Sequence, residues 1–274
     1  MFLQGGLGNQ LFGWAAGLAY SKKLELPLVL NSSQLYQWGF QLNEFDISNY
    51  TLVETPQKFR RVAQRLSSIT SALKSKTYYE KEFTFNQEFL NQSHWRNLHG
   101  YFQSWKYFEH LFPEIKATLT KDDVTRSKTY RELQSQFQTW NYIAVHVRRG
   151  DYVGLQSYHG LIGPEYYKKA ISLAENQLHN SRLVVFSDDV DAASEIIGDA
   201  ELYVDSTKLK SSVETLLLMS QAKSIIGANS SFSLWAGYLS DEANFNVYPK
   251  PWFKSLNHSM RDLVLDKHLI LNGR

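Results

Sequence analysis

From Tyr142 to Tyr248 the chain alternates short apolar runs with helical stretches, and this rhythm limits the fold to very few choices. The runs are Tyr142–Arg148, Leu183–Ser187, Glu201–Val204, Ser224–Gly227 and Phe245–Tyr248. The stretches between them, Pro164–Gln177, Val190–Ile197, Ser212–Lys223 and Ser231–Leu239, carry helical patterning. Strands separated by helices must run parallel, because each helix returns the chain to the edge where the previous strand began. Several runs are apolar throughout rather than alternating, as strands buried on both faces require. A parallel sheet aligns all its strand carboxyl ends on one edge. Open α/β sheets take their ligands at that edge.

The first part of the chain carries a second, weaker α/β signal. Gly5-Gly6-Leu7-Gly8-Asn9-Gln10 reads as a glycine turn, followed by an amphipathic helix over Gln10–Lys23 and a strand over Pro27–Asn31. Residues 32–55 are loop-rich, and Pro56 opens a helix to about Ile69. Gly100–Phe108 reads as a short strand entering a helix, and residues 113–139 as helical and polar. The expected fold is α/β and consists of two Rossmann-like units with a cleft between them, residues 1–125 and 126–274.

Charge and composition exclude whole classes of partner. With 29 Lys and Arg against 27 Asp and Glu, the net charge is +2. No nucleic-acid partner is expected, membrane contact is peripheral at most, and any anion must be recognised locally. Cysteine is absent, which removes disulfides and thiolate metal sites and fits a reducing compartment. No apolar run reaches the roughly 18–20 residues of a membrane helix. The glycine turn directly after Met1-Phe2-Leu3-Gln4 leaves no room for a signal peptide. A cytoplasmic location, or a peripheral one at the inner face of a membrane, is expected. The 7 Trp and 16 Tyr suit a packed core and equally the apolar faces of sugars.

Four segments carry chemistry. His146-Val147-Arg148-Arg149-Gly150-Asp151 ends a buried strand in two guanidinium groups, which grip phosphate oxygens in a two-pronged fork. A surface ion pair between Arg149 and Asp151 is the plain alternative. Val184–Asp189 ends another strand in two carboxylates. Asp188 could accept the N1–H and exocyclic amine of guanine, or cap the helix that starts near Val190. Ser224–Ser233 leads a strand through Asn229-Ser230-Ser231 into an apolar helix. The hydroxyls and amides there make an anion site, or Asn229 or Ser230 simply caps the helix. The Gly5–Gln10 turn lacks the third glycine of a dinucleotide fingerprint, since Leu11 stands there. Its amides nevertheless point forward at a helix start. Asp189-Val190-Asp191 spells the short D-x-D pattern of metal-dependent sugar transferases, although Asp191 suits the first turn of a helix.

Taken in order, these segments resemble glycosyltransferase family 11, the α-1,2-fucosyltransferases. The resemblance is carried by Gly5–Phe12, Gly100-Tyr101-Phe102-Gln103-Ser104, His146–Tyr152, Phe186–Asp189 and the block from Leu218 to Trp235. Departures stand at Gly13-Trp14, Ala222 and Leu234. The resemblance implies a GT-B-like fold and an inverting, metal-independent transferase. L-fucose would pass from GDP-β-L-fucose to the 2-hydroxyl of a terminal β-galactoside, with no cofactor and no metal ligands. It further implies that His146 and Arg148 contact the donor, with Arg148 on the β-phosphate and Arg149 in support, and that Asp188 holds guanine. Asn229, Ser230, Ser231 and Phe232 would serve the diphosphate. Gly8 and Asn9 would come from the N-terminal, acceptor-side domain. Asp151 is the candidate base for the acceptor hydroxyl, ahead of Glu165 and His159. The competing readings are a metal-dependent transferase using Asp189 and Asp191, a non-catalytic nucleotide- or sugar-binding protein and, last, an NAD-dependent oxidoreductase.

Overall fold

Phe2 is the middle of the first sheet. In the computed structural model, which describes residues 1–35, 38–54, 76–121, 125–149, 162–243, 245–253 and 260–273, Phe2 bridges in parallel to Asn31 and to His99. Asn31 ends β1 (Val29–Asn31), which pairs in parallel with β2 (Thr51–Val53). His99 lies on the other flank, where β3 (Thr77–Tyr79) pairs in parallel with β4 (Asn97–His99). The N-terminal unit, Met1–Lys121, is thus organised as β2-β1-Phe2-β4-β3, with all carboxyl ends on one edge.

Helix α1 (Leu7–Leu24) begins three residues earlier than its sequence pattern suggests. Gly5 has φ +68°, a left-handed conformation that makes the turn by itself. Gly6 is already the N-cap, so Gly8 and Asn9 lie in the first helical turn rather than in a loop. The helix is not amphipathic either: the residues from Leu7 to Tyr20, Asn9 excepted, are buried, as in a helix enclosed on all sides. Short helices α2 (Gln87–Asn91) and α3 (Phe112–Leu119) also belong to this unit, with 3₁₀ turns at Leu42–Glu44, Trp105–Tyr107 and Glu109–Leu111. Of the short strand entering a helix expected over Gly100–Phe108, the strand lies instead at β4, ahead of Gly100, and the helix is a 3₁₀ turn at Trp105–Tyr107. Gly100 (φ +154°) and Phe102 (φ +50°) depart from extended backbone. The expected helix from Pro56 to Ile69 lies outside the described residues.

The second unit, Asp122–Arg274, starts with α4 (Lys128–Phe137) and then follows the predicted alternation. The elements are β5 (Tyr142–Val147), α5 (Pro164–Gln177), β6 (Arg182–Ser187), α6 (Val190–Ile197) and β7 (Leu202–Asp205). They continue as α7 (Ser212–Ser220), β8 (Ser224–Ile226), α8 (Ser231–Leu239), β9 (Val247–Lys250) and β10 (Leu269–Asn272). All six strands are parallel, in the order β10-β9-β8-β5-β6-β7. Counted from β5 this is the 3-2-1-4-5-6 arrangement of a Rossmann fold. Its switch point, where ligands bind, lies between β5 and β8. The α/β class and the pair of Rossmann-like units are as the sequence predicts. Strands β2, β3 and β10 are additions to that reading. Among the described residues no helix is long and apolar enough to cross a membrane.

Packing around the switch point is tight. Every residue of β5 is buried. Tyr166 of α5 donates its hydroxyl hydrogen to the carbonyl oxygens of Gly227 (2.7 Å) and Val247 (3.1 Å). A Cβ on Gly227 would meet the Tyr248 ring at 2.6 and 2.7 Å and Ser233 Oγ at 2.9 Å. The ring has nowhere to go, being 1% exposed with its hydroxyl on Ser233 O. Gly227→Ala is therefore expected to destabilise the fold by about 1–3 kcal/mol, a loss of several degrees in Tm by thermal denaturation. An unchanged Tm would show that the ring yields.

Candidate functional site

Strand register places the central charges. Val147, the last residue of β5, lies beside Ser187, the last of β6, so Arg148 and Asp188 leave the sheet side by side. Arg148 Nη1 stands 3.0 Å from Asp188 Oδ2, with the side chains 26% and 15% exposed. The Arg149 backbone N–H donates to Asp188 Oδ1 at 3.0 Å. One carboxylate therefore holds both the guanidinium of one arginine and the backbone of the next. Ser187 locks the two strand ends together, its Oγ donating to Val147 O at 2.9 Å and accepting from Asp189 N at 3.0 Å. Arg149 Nε is buried and has no partner among the described residues.

His146 lies two residues before Arg148, on the same strand. Its ring is buried and sits 5.4 Å from the Phe232 ring, tilted by 40°. Tyr167 donates its hydroxyl hydrogen to His146 O at 3.2 Å. Nδ1 is buried without a partner among the described residues. Burial first, then the nearby Arg148 charge, pushes the imidazole down to about 4, against the opposing pull of Asp188. It is neutral at physiological pH.

The same physics gives a pH prediction. His99 and His268 are also pushed down to about 4, chiefly by burial. All three stay neutral in the fold down to about pH 4, whereas the unfolded chain protonates them near pH 6.5. Between those values the unfolded state binds more protons, so stability is full above pH 6.5 and is lost as pH falls. Glu80, raised by burial to about 7, opposes this, whereas the Met1 ammonium, lowered by burial to about 6, acts with the histidines. Tm is expected to fall by several degrees from pH 7 to pH 4.5. A Tm that rose over that range would contradict the assignment.

The end of β8 supplies the other side of the switch point. Asn229 is buried, with Nδ2 donating to Trp252 O at 3.1 Å. Ser230 is the N-cap of α8, its Oγ accepting from Phe232 N at 3.3 Å. Ser233 Oγ donates to Ala228 O (3.1 Å) or Ser230 O (3.0 Å), which holds the turn rigid. Ser231 and Phe232, half-buried, form the first turn of α8, where backbone amides favour an anion. The rest of α8, from Ser233 to Leu239, is core.

The structure thus gathers His146, Arg148, Arg149, Asp188 and the Asn229–Phe232 turn at adjacent strand ends of one unit. Gly8 and Asn9 belong to the other unit, where Asn9 Oδ1 accepts from Gln103 Nε2 at 2.7 Å. Gln10 is a clamp for its own turn, bonding Gly5 O, Gly39 O and Gln41 N. The cap of α6 is Asp189, not Asp188: its Oδ1 accepts from Ala192 N at 3.1 Å. Asp188 is turned instead toward the arginines. Asp191 is exposed in the first turn of α6. No group of three or more His, Asp or Glu able to hold a metal occurs among the described residues. Glu165 is exposed in the first turn of α5. Asp151 and His159 lie outside the described residues.

Comparison with known proteins gives a consistent picture. A family model described as Glycosyl transferase family 11 matches residues 53–267. An alpha-1,2-colitosyltransferase of Escherichia coli is 28% identical, over 92% of this chain and 91% of that protein. Galactoside alpha-(1,2)-fucosyltransferase 2 of Rattus norvegicus is 27% identical, over 59% of this chain and 50% of that protein. Among solved structures, a glycosyl transferase family 9 protein from Veillonella parvula shares the fold at TM-score 0.52 and 11% identity, covering 99% of this chain and 86% of its own.

Proposed function

The chain belongs to glycosyl transferase family 11, and on that basis we propose that it moves L-fucose from GDP-β-L-fucose to the 2-hydroxyl of a terminal galactoside. In this reading the transfer inverts C1 and needs no metal ion. One observation carries it: Arg148 is held by Asp188 at 3.0 Å, at the strand edge where a Rossmann sheet binds its ligand.

When the C1–O bond to the β-phosphate breaks, negative charge builds on the departing GDP and positive charge on the sugar ring. A guanidinium fixed before the reaction stabilises the departing charge without reorganising. The amides opening α8 supply further dipoles of the right sign. His146 adds no charge of its own, and its Nδ1, without a partner among the described residues, can donate a hydrogen bond to a phosphate or sugar oxygen in the tautomer that carries its proton there. The acceptor oxygen attacks C1 on the face opposite the leaving group, so a β-linked donor gives an α-linked product. In this scheme Asp151, three residues beyond Arg148, takes the acceptor proton. Asp188 positions Arg148, each of its oxygens accepting one donor from the 148–149 segment, and the second lone pair on each oxygen leaves room for the N1–H and exocyclic amine of guanine.

A second reading is favoured by the colitosyltransferase relative, which matches nearly the whole chain. Colitose is L-fucose without its 3-hydroxyl, so GDP-colitose is the rival donor. A site built to hydrogen-bond a hydroxyl rejects the analogue that lacks it. The test offers GDP-fucose, GDP-colitose, GDP-mannose and UDP-galactose with a panel of β-galactosides in EDTA, followed by linkage analysis. The proposal expects α-1,2-fucosyl product with undiminished rate in EDTA. Preference for GDP-colitose would move the donor to the deoxy sugar. Use of GDP-mannose or UDP-galactose, or loss of activity in EDTA, would overturn the proposal.

A further inference from the structure

The N-terminal unit has a site of its own on the carboxyl edge of its sheet. Tyr79 ends β3, His99 ends β4, and Gln4 follows the Phe2 bridge between them. Together with Glu80, Phe83 and Tyr101 they line a cavity of about 220 Å³. That is below the roughly 300–1,000 Å³ of drug-sized pockets and suits a single sugar ring.

Glu80 is the unusual group there. Its Oε2 accepts the backbone N–H groups of both Tyr101 (2.7 Å) and Phe102 (2.9 Å), while Oε1 makes no hydrogen bond among the described residues. The chain contorts to present those two amides. Phe102, fully buried, sits at φ +50°, and at Gly100 (φ +154°) a Cβ would lie 2.4 Å from Glu80 Cβ. Backbone strain of this kind persists where the surroundings impose it, and it concentrates at functional sites. Burial raises the carboxyl to about 7 against the pull of the two amides.

Beside it stands a flat aromatic face. The Tyr79 ring is 54% exposed and stacks on His99 at 4.8 Å, and His99 in turn stacks on Phe2 at 3.9 Å. Tyr101 stacks on Phe83 at 5.8 Å. Lys81 and Glu82 offset one another in the lining, and Glu80, raised to about 7, is only partly ionised at neutral pH, so the cavity offers no net positive charge to a phosphate and suits a neutral polyhydroxyl ligand. An exposed ring for the apolar face of a pyranose and an open carboxylate oxygen for its hydroxyls are what sugar recognition needs.

We propose that this cavity binds the terminal sugar ring of the acceptor, with Glu80 Oε1 accepting a hydrogen bond from one of its hydroxyls and the Tyr79 ring covering its apolar face. The assignment to an acceptor rests on the transferase reading above, but the cavity can be tested without a donor. Methyl β-galactoside is titrated onto the full chain by NMR, in wild type, Tyr79→Ala and Glu80→Gln. Glu80→Gln keeps a carbonyl oxygen for the Tyr101 and Phe102 amides and puts an amide donor where Oε1 was. Tyr79→Ala removes an exposed ring and leaves the fold intact.

Galactoside affinity is expected to fall about tenfold in Glu80→Gln and about fivefold in Tyr79→Ala. GDP affinity should be unchanged in both. In turnover assays the acceptor KM rises while the donor KM stays put. Unchanged galactoside affinity in a folded Tyr79→Ala protein, or no galactoside binding to the wild type at millimolar concentration, overturns the proposal. Because the galactoside titrations need no GDP-fucose, a wrong donor assignment would leave them standing, and their failure would leave the donor assignment standing.

Discussion

Arg148→Ala is expected to lower kcat/KM for transfer by about 10²–10³, the usual consequence of deleting one preorganised contact to developing charge. The guanidinium stands at the end of β5, only about a quarter exposed and fixed by Asp188, so its loss is not made good by water. Arg148→Lys should recover little, because a point charge lacks the planar fork that spans two phosphate oxygens. The control is Arg182→Ala. Arg182 also pairs with a carboxylate, Glu201 at 2.7 Å, but on the exposed opposite edge of the sheet. Its loss should leave activity unchanged, since exposed pairs contribute little. Steady-state rates for the variants decide the matter; activity of Arg148→Ala within threefold of wild type would contradict the assignment.

Asp188→Ala has the next largest expected effect, a fall of about 10–10² in kcat/KM. Its carboxylate holds the Arg148 guanidinium and the Arg149 amide at once, and a hydrogen bond to a charged group contributes about 1.5–3 kcal/mol. Without it the guanidinium is free to turn away from the leaving group. Asp188→Asn keeps an acceptor for the Arg149 amide and loses the ion pair, so its defect should be milder. Comparing GDP with IDP, whose base lacks the exocyclic amine, separates positioning from base recognition. If Asp188 positions Arg148, discrimination between the two nucleotides survives in Asp188→Asn. If it reads guanine, that discrimination disappears.

The second unit was largely legible because its signals are local. Tyr142–Val147 is continuously apolar and wholly buried, and the arginines stop it abruptly, so both the strand and its functional end show in the letters. What the letters hide is register. Nothing local says that Asp188, rather than Asp189, faces Arg148; the pairing of Val147 with Ser187 decides it. That pairing forms only when two segments about forty residues apart meet. Asp189 is left to cap α6.

The first unit was less legible, for two physical reasons. Its strands are three residues long and its centre is a single residue, Phe2, bridged on both sides, too short for periodicity to register. The turn at Gly5 is completed by one positive φ, which starts α1 sooner than the glycine pattern implies. Glu80 carries no local mark at all. Its role comes from two amides twenty-one and twenty-two residues further on, at the motif Gly100–Ser104 that the sequence singles out without explaining.

The most direct test of the central claim, that Arg148 rather than a metal ion neutralises the terminal phosphate, is a comparison of GDP and GMP affinity in EDTA for wild type and Arg148→Ala. With the Arg148 contact on the β-phosphate, wild type should bind GDP at least about tenfold tighter than GMP, and the variant should bind the two almost equally. A GDP preference that persists undiminished in Arg148→Ala, or that arises in wild type only when Mn²⁺ is added, would contradict the account.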